Sequence, residues 1–222
     1  MIQERHFHRQ LDELRMLALE MAAYTERAVA SACEALLTLD REAAERVIEN
    51  DSIINNMEMK IDEMSIGLLA LDSPMARDLR FITGVRRTII DLERLGDEAV
   101  NIAEKTRYLS KTEGKAHPPM LEELVSVVLD MLKVAIEAFR EENVDKAGDV
   151  CKMDETADEL NVRILRQTMA SMVAEATDVS RSVNTILAAR HLERVGDLST
   201  NIGETVVFIN KGLNIKHRCH KS

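Results

Sequence analysis

Leu92-Glu93-Arg94-Leu95-Gly96-Asp97-Glu98-Ala99-Val100-Asn101-Ile102-Ala103-Glu104 reappears one hundred positions later as Leu192-Glu193-Arg194-Val195-Gly196-Asp197-Leu198-Ser199-Thr200-Asn201-Ile202-Gly203-Glu204. Self-similarity placed late in each half of a 222-residue chain marks the tandem duplication of one structural unit. At about 100° per residue, Glu93, Asp97, Asn101 and Glu104 fall within an arc of roughly 80° on a helix. Glu193, Asp197, Asn201 and Glu204 do the same. Each copy thus carries one polar stripe with carboxylates at i and i+4. Such a pair costs about a few tenths of a kcal/mol through repulsion in an isolated helix, so a cation or a basic partner has to offset it.

Outward from the repeat, apolar or small residues recur every three or four positions from Phe7 to Leu39 and again from Val47 to Leu71. Two helices are predicted there, with Asp40 as the N-cap of the second. Ser73-Pro74 reads as the start of a third helix running to about Ser110, since Pro is tolerated at a first helical position. Lys111 to Pro119 holds a Gly and two of the three Pro residues and is the expected boundary, giving units 1–112 and 113–222. Three further helices are predicted over Met120–Glu141, Val144–Val173 and Asp178–Lys211, with Asn143 and Thr177 as caps. A helix of thirty residues is about 45 Å long, and such short connections allow only antiparallel neighbours. The expected fold is all-α: two tandem homologous three-helix bundles, elongated, with six long antiparallel helices. Eight Gly, three Pro and no Trp agree with long uninterrupted helices rather than strands.

Hairpin geometry adds a second set of acids. Asp154 and Asp158 are placed symmetrically to Asp197 and Glu193 about the turn near residues 174–177, so an antiparallel pair sets Asp154 level with Asp197 and Asp158 level with Glu193. In the first half Asp51 and Asn55 bear the same relation to Asp97 and Glu93 about Ser73 and Pro74. Clustered carboxylates repel unless protonated or neutralised, and their oxygens are hard ligands suited to Mg, Mn, Ca or iron and acceptable to Zn. No thiolate or Glu-x-x-His pattern narrows the choice. Arg94 and Arg194 are competing partners through salt bridges to a neighbouring helix. Gly96 and Gly196, each costing about 1 kcal/mol against Ala within a helix, point to close helix approach or to access to the stripe.

Several classes are disfavoured. A net charge of -10 opposes binding to phosphate backbones, so no nucleic-acid partner is expected. Cys33, Cys151 and Cys219 are odd in number and far apart, which fits buried or idle thiols in a reducing compartment. With a polar N-terminus and no run of about 18 apolar residues, the chain is read as cytoplasmic. His191 has the wrong spacing to share a face with Glu193 and reads as a packed or surface residue. The tail around His217, Cys219 and His220 reads as a frayed end, and the methionines, mostly at seam positions, read as core packing rather than as a binding groove. Nothing resembles a nucleophile with its base or a glycine-rich phosphate loop.

Ser73-Pro74-Met75-Ala76-Arg77-Asp78-Leu79-Arg80 followed by Leu92 to Glu104 resembles the first-half signature of the PhoU family. Leu192 to Glu204 with Val206-Val207-Phe208-Ile209-Asn210-Lys211-Gly212 resembles that family's second-half ending. The resemblance covers nearly the whole chain. It implies two three-helix bundles, multinuclear metal sites at the motifs, frequent homodimers, and negative control of phosphate uptake and of the phosphate-starvation response. It implies an adaptor rather than an enzyme, linking the ATPase subunit of a phosphate ABC transporter to a sensor histidine kinase, with membranes reached only through those partners. The implied metal residues are Glu93, Asp97, Asn101, Glu193, Asp197 and Asn201, followed by Asp51, Asp154 and Asp158. Leu198 stands where many relatives carry a His, and Asn55 replaces an acid, so unequal sites are expected. A helical-bundle metalloenzyme and a metal-free interaction protein are the alternative readings.

Overall fold

The computed structural model describes residues 2–111, 118–174 and 179–215, which form α1 (Ile2–Thr38), α2 (Arg41–Asp72), α3 (Ala76–Leu109), α4 (Pro119–Glu141), α5 (Val144–Ala174) and α6 (Val179–Lys211). The expected boundary at 112/113, the Thr177 cap and the His217–His220 tail lie outside the described residues. All six predicted helices are present, and local chemistry explains most of their ends. Asp40 caps α2 by accepting a hydrogen bond from the Ala43 amide at 3.0 Å. Asn143 does the same for α5, accepting from the amides of Asp145 and Lys146 at 2.9 and 3.1 Å. Gly212 closes α6 with φ 69° and an amide bonded to the Phe208 carbonyl.

One end differs from its sequence reading. Ser73 is the left-handed C-cap of α2, with φ 46°, and α3 begins only at Ala76 behind Met75. Pro following a left-handed cap is a stop signal, because it cannot continue the helix it follows. Leu71, counted in the α2 seam, is consequently 80% exposed at this turn. Met16, Met59, Met75 and Met169 are also exposed, against the expectation of seam packing that Met21 and Met131 fulfil. Cys33 is buried and free, its thiol pushed up to about 12 by burial, whereas Cys151 is disulfide-bonded and not an idle thiol.

Within the first half α3 packs on α1 and α2; within the second, α6 packs on α4 and α5. The halves are joined by α3 against α6, with a smaller contact between α1 and α4. The α3–α6 pair is antiparallel: Gly84 lies against Ile209, Asp91 faces Asn201, Glu98 faces His191, and Leu109 accepts from Arg181. The repeat offset puts the equivalent residues Leu95 and Val195, both fully buried, at the midpoint of this register. The crossing therefore has an approximate two-fold axis that relates the two repeats. Gly84 sets the closeness of approach, since a Cβ there would stand 2.3 Å from Ile209 Cγ1. Among the described residues no helix is long and apolar enough to cross a membrane.

A second tie holds the α4–α5 turn to the first half. Glu142, in the left-handed region with φ 53°, accepts from Arg15 of α1 and, at 2.8 Å, from Arg77 of α3. Burial works to raise its carboxyl, but the Arg15 and Arg77 guanidinium groups hold it below the usual range. A lowered carboxyl contributes stability above its unfolded value and loses it as pH falls. Glu142→Gln is therefore expected to cost about 1 kcal/mol at pH 7 and progressively less as pH falls below the unfolded carboxyl value; urea unfolding at neutral and acidic pH checks this, and an equal cost at both would contradict it.

Candidate metal centre

In the second half, α5 and α6 run antiparallel. Ala157 lies opposite Gly196, and the Thr200 hydroxyl donates to Asp154 at 3.4 Å. That register brings carboxylate oxygens of Asp158, Glu193 and Asp197 within 4.8 Å of one another, as the hairpin argument required. Glu193 is only 8% exposed: Arg190 donates to its Oε1 at 2.6 Å, while its Oε2 is buried with no hydrogen bond. Burial first, then Asp197, with further repulsion from Asp158 and Asp154, pushes the Glu193 carboxyl up to about 7 against the pull of Arg190. Asp154 is buried beside the cluster and contributes to that repulsion.

The first half repeats the arrangement with one acid fewer. A Cβ on Gly96 would stand 3.1 Å from Ile54 Cδ1 and 3.6 Å from Asp51 Oδ1, so α2 and α3 approach closely beside the acids. Gly196 has only ordinary contacts, the nearest at 3.4 Å to Met131, so the expectation of close approach holds for Gly96 alone. The Asn55 amide donates to Asp51 Oδ2 at 2.8 Å, leaving Asp51 Oδ1 and Asn55 Oδ1 buried without a hydrogen bond. Burial raises the carboxyls of Glu93 and Asp97. Asp97 and Glu58 add to the rise on Glu93, Asp51 and Glu98 add to that on Asp97, and Arg94 opposes both. Among the described residues, Asp158, Glu193 and Asp197 are the single group of three that converges at metal-holding distance. Asn55 accounts for the difference, since an amide stands where Asp158 supplies a carboxylate.

The remaining predicted residues go elsewhere. The Asn101 amide donates to Glu98 at 3.4 Å, and the Asn201 amide donates to Asp91 at 3.5 Å. Glu104 is exposed beside Lys105, and buried Glu204 lines the α3–α6 groove with Asp91 and Arg94. An 80° arc spans two neighbours: Glu93 and Asp97 face the hairpin partner, while Asn201 faces the crossing. Arg194, read as a partner for the motif acids, instead bonds Glu98 of the other half at 3.1 Å.

Glu98 and His191 were missed by sequence reasoning. Glu98 is 3% exposed, and its Oε2 lies 2.7 Å from His191 Nδ1. Burial works to raise its carboxyl, but the His191 hydrogen bond and charge, then Arg194 and Asn101, hold it below the usual range. The available signal was divergence between the repeats: Glu98 corresponds to Leu198, and His191 to Asp91. These are the positions that the approximate two-fold axis sets against each other.

The PhoU domain model matches residues 18–106 and 121–206. The chain belongs to the PhoU family. It is 36% identical over 213 residues to the phosphate-specific transport system accessory protein PhoU homolog of Pseudomonas aeruginosa, covering 95% of this chain and 88% of that protein. The accessory protein PhoU of Escherichia coli is 31% identical, with 95% and 88% covered. The crystal structure of PhoU from Pseudomonas aeruginosa superposes with a TM-score of 0.89 at 36% identity, covering 93% of this chain and all of that one. The phosphate transport system regulatory protein PhoU from Streptococcus pneumoniae gives 0.88 at 28%, with 95% and 99% covered. The metal ions implied by this family fit the donors present. Buried carboxylate oxygens lacking hydrogen bonds, Glu193 Oε2 in one half and Asp51 Oδ1 in the other, are groups that a hard cation satisfies.

The raised Glu193 value fixes a pH dependence. Between about 4.5 and 7 the unfolded chain has lost this proton and the folded one keeps it. The stability Glu193 contributes is thus complete below 4.5 and lost as pH rises through 7. In chelator-treated protein, Glu193→Gln is expected to gain thermal stability relative to the wild type as pH is raised across that window. A melting-temperature difference that stays constant from pH 5 to pH 8 would contradict the cluster.

Proposed function

We propose that this PhoU-family protein is a metal-containing regulatory adaptor of phosphate homeostasis, acting in the cytoplasm as a homodimer. It lowers phosphate uptake and the phosphate-starvation response by linking the ATPase subunit of a phosphate ABC transporter to a sensor histidine kinase. The observation that carries the reading is near full-length similarity to relatives named as accessory proteins of the phosphate-specific transport system. Two units, 1–112 and 113–222, each offer a cation site on the hairpin that ends in the repeated motif. Asp158, Glu193 and Asp197 with Asp154 would hold the ion in one, and Asp51, Glu93 and Asp97 with the Asn55 carbonyl oxygen would hold it in the other. Asn101 and Asn201 are reached only if their amides leave Glu98 and Asp91. The oxygen-only donor set suits Mg, Mn, Ca or iron and accepts Zn. In this reading a bound metal would hold shape and charge rather than supply chemistry.

The test is complementation of a strain lacking the gene, with a phosphate-responsive reporter and metal analysis of the same purified protein. The wild-type chain is expected to repress the reporter in abundant phosphate and to carry metal, and Asp97→Ala with Asp197→Ala is expected to lose both. A metal-free double variant that still represses would favour an interaction protein without metal. Oxygen turnover by the iron-loaded chain would favour a metalloenzyme.

A further inference from the structure

Beyond Asp158 the outer groove of the α5–α6 hairpin changes from acidic to apolar. Val162, Leu165 and Met169 follow Asp158 at i+4, i+7 and i+11, which keeps them on its face of α5. On α6, Val179, Val183 and Leu187 form an i, i+4, i+8 stripe that leads up to Arg190 and Glu193. The register set by Ala157 with Gly196 and Asp154 with Thr200 places Leu165 level with Leu187 and Met169 level with Val183. All six side chains are between 38% and 54% exposed. Single exposed aliphatic residues are ordinary; two facing rows make a contiguous patch of the kind that marks an interaction surface.

The charge around this patch is opposite to that of the chain. Residues 160–192 contain four Arg against two acids, Glu175 and Asp178, in a protein of net charge -10. Arg163 and Arg166 are exposed and form no ion pair among the described residues. The first half keeps only part of this arrangement: Met59, Ile66 and Leu79 are exposed at the equivalents of Val162, Met169 and Val179. Where the repeat aligns Asp62 with Leu165, however, the Arg86–Asp62 ion pair at 2.7 Å interrupts the strip, and Glu58 and Glu63 lie beside it.

We propose that this face is a docking groove for an amphipathic helix of another protein, aliphatic along one side and acidic along its flanks. It names where the adaptor described above takes one partner, and so rests on that reading. Two antiparallel helices with matched aliphatic rows form the groove that a third helix fills, and its acidic flanks meet Arg163 and Arg166. A second copy placed face to face would set these arginines against their own copies. A bilayer surface is served by aromatic residues and lysines, and residues 160–174 and 179–192 hold neither.

The probe is a fluorescent synthetic helical peptide with leucines at i, i+3, i+4 and i+7 and glutamates on both flanks, titrated against the full chain. A peptide with lysines in place of the glutamates is the comparison. The glutamate peptide is expected to bind at least about tenfold tighter, and Leu165→Glu with Leu187→Glu to remove that binding while leaving helicity unchanged. Arg163→Glu with Arg166→Glu, which leaves the apolar rows intact, is expected to reverse the preference. Equal binding of the two peptides, or binding unaffected by either variant, overturns the proposal. So does absence of peptide binding combined with a Leu165/Leu187-dependent attachment to phosphatidylglycerol vesicles or a Leu165/Leu187-dependent dimer in sedimentation. In the reporter strain, repression by the wild type but not by the Leu165/Leu187 variant supports the groove, and equal repression by both counts against it alone. Failure of the wild type to repress removes the adaptor reading, and the peptide comparison then decides the groove by itself.

Discussion

Carboxylates held on facing antiparallel helices repel one another and cannot move apart, because the helices that carry them also form the buried core of the molecule. Glu193 and Asp197 lie on α6, and Glu93 and Asp97 on α3; Leu92, Leu95, Leu192 and Val195 of the same helices are fully buried. Rotating either helix to relieve the acids would break the α3–α6 crossing. The repulsion is therefore absorbed chemically, as raised carboxyl values at Glu93, Asp97 and Glu193; under the proposed function a bound cation would remove it and satisfy the buried oxygens.

The crossing also explains why two copies of one motif have come to differ. An approximate two-fold axis sets each position of α3 against the equivalent of its own partner, so a change in one copy creates an asymmetric pair. Glu98 with His191 and Arg194 is such a pair, and Leu198 with Asp91 is its image without the acid on α6. Divergence at Asn55 acts likewise within one hairpin, converting a cluster of carboxylates into a mixed acid and amide site. The duplicated scaffold thus presents two related sites of unequal charge. Its two outer grooves also differ, one broken by an ion pair and the other a continuous aliphatic strip.

Legibility in the sequence followed the range of the interaction. Periodicity, caps and the repeat are local, and Asp40, Asn143 and the six helices could be read from neighbouring residues. The hairpin register of Asp158 with Glu193 was also readable, because a short turn between two long helices leaves one alignment. Ser73 was misjudged because the same Ser-Pro pair serves as a start signal or as a stop after a left-handed cap, and only the path of the chain distinguishes them. The destinations of Asn101, Asn201 and Arg194 depend on how α3 meets α6. Those helices belong to different repeats, and no short connection constrains their alignment. The exposed methionines were misread for a related reason, since helical spacing identifies a stripe without saying whether another helix covers it.

Anomalous diffraction from crystals of the full chain soaked in a manganese salt at neutral pH decides whether the hairpins hold cations. Density is expected between α5 and α6 touching Asp158, Glu193 and Asp197, with a second site between α2 and α3 touching Asp51, Glu93 and Asp97. Saturating manganese that leaves both hairpins empty, with the acids turned to solvent or paired to arginines, would contradict that expectation.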